Sequence, residues 1–345
     1  MTFAFVCLAA VVTSFLLTAG VRRYAIGRSL LDIPGSRSSH KIPTPRGGGI
    51  AIVISFEAAL VWLLSAGLLN SAVFTGLAAG GVIVAVVGFL DDHGHVAARW
   101  RLLSHFFASA CVLLGVGGLP AIPWFGHEID LGGFGYLPAI LFLVWMLNLF
   151  NFMDGIDGIA SVQAICVCGA AALLYLVTGH LDLVGPPLLL LCCVAGFLFW
   201  NFPPAKIFMG DAGSGFLGIM LGSLALIGGH ADSLYFWAWL VLMGVFVVDA
   251  TFTLLRRLFR GEKVYEAHRS HGYQFASRHY GRHLPVTAAV GVINALWLLP
   301  ISLCIVKSWL SPLSGVVVAY LPLVGLAIRY HAGAADREAS VDKGV

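Results

Sequence analysis

Charge is scarce in this sequence: only 11% of its 345 residues are Asp, Glu, Lys or Arg, against 59% that are hydrophobic. A soluble domain carries about a quarter of its residues as charges, so the composition excludes one and requires a lipid-embedded chain. CxxC pairs are also missing. The seven cysteines, Cys7, Cys111, Cys166, Cys168, Cys192, Cys193 and Cys304, lie in apolar runs with no Cys/His cluster at zinc spacing, which argues against a disulfide framework and a thiolate metal site. No basic residue precedes the apolar opening; Arg22 and Arg23 follow it, the reverse of a cleaved secretory signal, so it reads as a retained first span. Fixed-period repeats and low-complexity tracts are lacking too.

What is present is a series of long apolar runs. A bilayer core of roughly 30 Å needs about 20 helical residues. Runs near that length occur at 2–21, 47–69, 72–90, 102–118, 136–152, 158–178, 187–201, 213–230, 235–255, 286–306 and 314–331. The expectation is an all-α polytopic membrane protein of about 11 transmembrane helices forming a single integral-membrane domain over 1–345. With the N-terminus placed in the periplasm and the C-terminus in the cytoplasm, 19 of the 20 Lys and Arg residues fall on the inner side and only Lys307 outside, as the positive-inside rule demands. The largest inner segment is a His/Arg-rich loop at 256–285, and 332–345 reads as a short cytoplasmic tail.

Five acids, Asp91, Asp92, Asp154, Asp157 and Asp211, fall at span ends on that inner side. A carboxylate at the bilayer centre costs roughly 2.5–3.5 kcal/mol, so ordinary solvated ends are one reading. Their neighbours favour another. "NLFNFMDGIDG" sets Asn148, Asn151, Asp154 and Asp157 at i, i+3 steps, on one face if helical. In "NFPPAKIFMGDAGSG" two prolines bar a regular helix and glycines let backbone approach a ligand around Asp211. Hard oxygen ligands without thiolate suit Mg²⁺, with Mn²⁺ the alternative ion, and Mg²⁺ commonly binds one or two carboxylates plus substrate phosphates. That set belongs to phosphoryl transfer. In "EAHRSHGYQFASRHYGRH", His268 and His271 lack a third zinc ligand and read as partners of a diphosphate or sugar, whereas His279 and His283 read as surface histidines. Lys41 and Arg46, beside the triple glycine of "RSSHKIPTPRGGG", are either topogenic or a grip on a lipid phosphate. Glu57 and Asp249 lie inside apolar runs with no partner evident along the chain.

"GFLDD", "NLFNFMDGIDG", "NFPPAKIFMGDAGSG" and "HRSH", in that order, resemble the motifs of the polyprenyl-phosphate N-acetylhexosamine-1-phosphate transferases, the WecA/MraY family, over about 37–283. "RSSHKIPTPRGGG" and "AHRSHGYQ" are more similar to the O-antigen-initiating, WbpL-type members than to the peptidoglycan enzyme, whose run of adjacent histidines is lacking here. The resemblance implies an inner-membrane enzyme joining undecaprenyl phosphate to the sugar 1-phosphate of a UDP-N-acetyl-aminosugar, with release of UMP. It implies Asp211 as the Mg²⁺ ligand, Asp91 and Asp92 as the pair serving the lipid-phosphate nucleophile, and Asn151, Asp154 and Asp157 as the lining of the nucleotide pocket. Asn201 and Phe208 match uracil or ribose contacts, His268 a catalytic histidine near the sugar diphosphate, and Lys41 a phosphate-holding lysine. The expected partners are the two substrates and the bilayer, with no nucleic acid and a homodimer left open.

Direct attack by the lipid phosphate is the expected mechanism, and a two-step route through an aspartyl intermediate is its alternative. Two rivals differ in class. A secondary transporter would place functional acids at mid-membrane in two related halves, and a membrane phosphatase acting on the lipid carrier would release free phosphate.

Overall fold

The computed structural model describes residues 2–33, 42–94, 96–124, 127–262 and 268–335. Lys41 lies outside them, as do 336–345 of the expected tail. The chain opens with α1 (Phe3–Gly27), followed by a short antiparallel pair, β1 (Leu31–Asp32) with β2 (Thr44–Pro45). Then come α2 (Ile50–Ser65), α3 (Ser71–His93) and α4 (Ala98–Val116), and a small hairpin of β3 (Ile122–Trp124) and β4 (His127–Ile129). Next are α5 (Tyr136–Met153), α6 (Ile159–Thr178), α7 (Gly185–Asn201), α8 (Asp211–Ala231), α9 (Ser233–Leu242) and α10 (Gly244–Phe259). The chain closes with α11 (Gly272–Tyr280), α12 (Leu284–Ile293), α13 (Leu299–Val306) and α14 (Pro312–Arg329).

Each of the eleven apolar runs lies on helix, and eight helical segments among the described residues are long and apolar enough to cross a bilayer. The run at 187–201 is longer than its apolar stretch suggests, because a 3₁₀ turn extends it to Leu181–Asn201. The run at 235–255 is not one straight span: α9 and α10 meet at Met243 with a bend of 69°. As one broken crossing they raise the number to nine. Ile50–Ser65 is apolar but shorter, and α4, which begins with Arg99 and Arg101, is not among the eight. One π turn, Asn294–Leu298, joins α12 to α13, with Asn294 donating to Gln163 Oε1 at 2.8 Å.

Helix α8 is the axis of the bundle and is buried along nearly its whole length. Between apolar helices in lipid, close packing must replace the hydrophobic drive, and small residues permit it. A Cβ on Gly218 would stand 2.4 Å from the carbonyl oxygen of Met146 in α5, and one on Gly88 of α3 would stand 2.5 Å from Ala212 N. Beside the start of α8, a Cβ on Gly49 would lie 2.4 Å from Gly213 Cα. These contacts draw the end of α3, the entry to α2 and the start of α8 to one point, where the site is built.

Candidate active site

The ends of α3, α5 and α7, the start of α8 and the paired strands β1 and β2 with Arg46 after them border a cavity of about 280 Å³. Asp92, Asp154, Asp157 and Asp211 line it together with Arg46, Asn151, Asn201 and Phe208. Eight residues singled out in the sequence therefore meet at one place, from segments as far apart as 46 and 211.

Local sequence explains the meeting. After Asn201 the two prolines end α7, and the segment 202–210 runs back along the first loop: Phe208 N donates to Pro45 O, Gly48 N to Phe208 O and Gly49 N to Met209 O, all within 2.8–2.9 Å. Gly210 has φ +78°, a left-handed value that favours glycine, and a Cβ there would lie 2.5 Å from Asp92 Oδ2. Glycine thus lets the Asp92 carboxylate close on the N-terminus of α8, where Asp211 N donates to Asp92 Oδ1 at 3.2 Å. Negative charge is favoured there by the helix dipole.

The carboxylates differ in what they already hold. Asp211 Oδ1 accepts from Asn151 Nδ2 at 2.9 Å, and its Oδ2 lies 3.3 Å from Arg101 Nη1. Asp92 receives Arg46 at its backbone carbonyl, 2.6 Å from Nη2, while its buried Oδ2 has no hydrogen-bond partner. Asp154, the cap residue of α5, makes no hydrogen bond to the described residues. Desolvation first, then the charges of Asp211, Asp92 and Asp157, hold its carboxyl well above the usual carboxylate range. Asp157 is committed to structure: Oδ2 accepts from Ala205 N at 3.0 Å and Oδ1 lies 3.0 Å from His283 Nδ1.

Among the described residues, no three His, Cys, Asp or Glu side chains form a complete metal cage. The donor chemistry nonetheless fits a hard divalent cation that takes part of its shell from substrate phosphates. Asp92 has an orphaned buried oxygen, and Asp211, whose amide donates to the same carboxylate, sits beside it; a cation held by Asp211 would offset the negative charge gathered there.

Other expected residues lie apart from the cavity wall. Asp91 faces Arg101, which it shares with Asp211, and accepts from Val96 N at 2.8 Å. His271 is 2% exposed, caps α11 and has Nδ1 3.4 Å from Asp249 Oδ1. His268 stacks on His271 with ring centroids 4.8 Å apart, and its Nδ1 is 2.9 Å from Ser270 Oγ. Burial first, then His271 and Arg257, push His268 down to about 3, so its imidazole is neutral at physiological pH. Neither histidine lines the cavity. Asn201 lines it, yet its amide serves the protein: Oδ1 accepts from Gly158 N and Ser161 Oγ, and Nδ2 donates to Ile207 O. Asn148 does not join the other three polar residues of its motif, because α5 ends at Met153 and its amide donates back to Val144 O.

Sequence reading missed several lining residues, His283, Gln274 and Asp32 among them. His283 is no surface histidine: it pairs with Asp157, which only long-range folding brings near. Gln274 lines the cavity from α11, and its position three residues after His271 was the one available signal, an N3 glutamine. Asp32 enters through the β1–β2 pairing, for which two-residue strands leave no pattern.

Residues 74–229, which hold all the cavity aspartates except Asp32, match the model of glycosyl transferase family 4. A probable undecaprenyl-phosphate N-acetylglucosaminyl 1-phosphate transferase of Bacillus subtilis (strain 168) is 31% identical over 265 residues, 75% of this chain and 73% of the relative. The chain belongs to glycosyl transferase family 4, within its WecA/MraY-like members. Similarity within the family extends to a phospho-N-acetylmuramoyl-pentapeptide-transferase of Rickettsia canadensis (strain McKiel), 32% identical over 71% of this chain and 76% of the relative. A decaprenyl-phosphate N-acetylglucosaminephosphotransferase of Mycolicibacterium smegmatis (strain ATCC 700084 / mc(2)155) is 31% identical over 64% of this chain and 58% of its own length. The family model stops short of Arg46 and of the histidine loop, so those parts of the site rest on the structure and the sequence resemblance.

Proposed function

We propose that this protein transfers an N-acetyl-aminosugar 1-phosphate from a UDP-sugar to undecaprenyl phosphate, releases UMP, and so starts O-antigen synthesis at the cytoplasmic face of a bacterial inner membrane. The observation that carries the reading is the convergence of Asp92, Asp154 and Asp211 with Arg46 at one end of a membrane-spanning bundle. Family membership supports the reaction class, and the one-sided placement of Lys and Arg supports the face.

In this reading an oxygen of the lipid phosphate attacks the sugar-bearing phosphorus as the bond from that phosphorus to the UMP oxygen breaks. Asp92 is the group that takes any remaining proton of the lipid phosphate or orients it, since its Oδ2 is unspent while Asp91 is engaged by Arg101. Arg46, with Lys41, supplies positive charge to the lipid phosphate. Asp211 would hold Mg²⁺, or Mn²⁺ in its place, with substrate phosphates completing the shell, and a bound ion would supply electrostatic stabilisation to the diphosphate. Asn151 keeps the Asp211 carboxylate aimed into the cavity, and Asn201 and Asp157 fix the loops that border the nucleotide.

The test incubates purified protein with Mg²⁺, undecaprenyl phosphate and a panel of UDP-GlcNAc, UDP-FucNAc and UDP-QuiNAc donors, assaying UMP and the lipid product. UMP released in step with a lipid-diphosphate sugar is expected, and Asp211→Asn abolishes it while the protein stays inserted and folded. Free phosphate instead of UMP would identify a phosphatase, and full activity of Asp211→Asn would remove the metal assignment.

A further inference from the structure

Asp249 is an acid on a membrane helix, and the transfer chemistry gives it no task. The fold gives it one. Its carboxylate faces the first turn of α11, accepting from Gly272 N through Oδ1 at 2.9 Å and from Tyr273 N through Oδ2 at 2.8 Å, with Thr253 Oγ1 3.2 Å away on its own helix. His271 Nδ1 stands 3.4 Å from the same carboxylate. The first N–H groups of a helix have no partner inside it. Here a side chain 23 and 24 residues earlier in the chain satisfies two of them.

What α11 carries next makes the contact functional. Tyr273 Oη donates to the carbonyl oxygen of Phe152 at 2.9 Å, two residues before Asp154. The packing there is close: a Cβ on Gly155 would lie 2.2 Å from Tyr273 Oη. Gln274, the next residue, accepts from His271 N through Oε1 and lines the active-site cavity. A continuous path of hydrogen bonds therefore leads from Asp249 on α10 through the N-terminus of α11 to the backbone that presents Asp154.

We propose that Asp249 is a positioning residue: by capping α11 it docks the histidine-bearing loop against the Asp154 turn and so sets the wall of the substrate cavity. The role rests on the transferase reading for its kinetic consequence only, because the docking itself can be read without turnover. Tyr273 is the second joint of the same path, and Asp249→Asn, which keeps one acceptor oxygen, preserves part of the cap.

Hydrogen–deuterium exchange of the full-length protein in detergent, read on peptides spanning 268–280, is paired with KM and kcat for the UDP-sugar. Asp249→Ala is expected to speed exchange at the start of α11 and to lower kcat/KM on the order of tenfold to a hundredfold, as misplacement of a site by about 1 Å does. Asp249→Asn is expected to fall between it and the wild type in both measurements. Tyr273→Phe is expected to leave α11 protected while raising KM for the UDP-sugar, because only the link to Phe152 is cut. Wild-type exchange in Asp249→Ala would overturn the proposal, as would accelerated exchange with kinetics unchanged. If Asp249→Ala does not accumulate, wild-type exchange in Asp249→Asn overturns it equally. Faster exchange in a protein that turns over no UDP-sugar at all would leave the docking role standing and remove the transferase reading instead.

Discussion

Asp91 and Asp92 are neighbours in sequence with different surroundings. Asp91 is tied to Arg101 and the Val96 amide, whereas Asp92 reaches the N-terminus of α8 and keeps a buried oxygen unspent. Loss of a proton-handling group in phosphoryl transfer costs about 10²–10⁴ in rate. Asp92→Asn is therefore expected to lower kcat by that order in the UMP-release assay, with Asp91→Asn at least about tenfold milder. Asp154 gives a second expectation of opposite sign for stability. An acid whose folded pKa is raised binds more protons when folded than unfolded, so its stability contribution is present below about pH 4, its unfolded range, and is lost as pH rises through the higher folded value. With metal stripped by EDTA, Asp154→Asn is expected to raise Tm at neutral pH, to leave it unchanged near pH 4, and to abolish turnover. A Tm at neutral pH equal to the wild type would show that the carboxylates do not strain the metal-free site.

At the scale of elements, α7 and α8 owe their arrangement to the irregular segment between them. Asn201 ends α7 and clips the Gly158 turn to Ile207 through three hydrogen bonds. Asn201→Ala would leave buried backbone groups unpaired, at about 1–3 kcal/mol, and is expected to lower Tm and activity together. Helix α8 offers a purer packing test. Gly218→Ala drives a methyl group towards the Met146 carbonyl and is expected to cost about 1–3 kcal/mol, read as a lower Tm in detergent. Gly20→Ala in α1, where nothing lies within 4 Å of the new carbon, is the control with no loss.

Over the whole molecule, the helices were legible because an apolar run of spanning length has few other uses, and every run predicted from sequence lies on helix. The motifs at 151–158 and 201–215 were legible because glycine, proline and acid are out of place beside such runs. The bend at Met243 was not, since residues 235–248 on both sides of it carry no charge or proline to mark the break. Nor was the split among the histidines. His268 and His271 read along the chain as partners of a diphosphate or sugar; His271 caps α11 beside Asp249 with His268 stacked on it, while the overlooked His283 meets Asp157. Orientation has its own test. Single cysteines at Ser308, in the turn after α13, and at Arg260, after α10, in a variant with its native cysteines removed, are expected to react with a membrane-impermeant maleimide from opposite sides of intact cells, Ser308→Cys from outside. Reversal would move the active site to the periplasm.

Composition by itself determined that this chain lives in lipid, because too few charges exist to cover a water-exposed surface, and the motifs marked the acids whose glycine and asparagine neighbours favour a role beyond solvation. Which of those acids remain unpaired was decided only by the tertiary structure. Glycine contacts at Gly49, Gly88 and Gly210 bring three helix ends within hydrogen-bonding reach, and the partners each carboxylate finds there depend on distances across the bundle that no local pattern encodes.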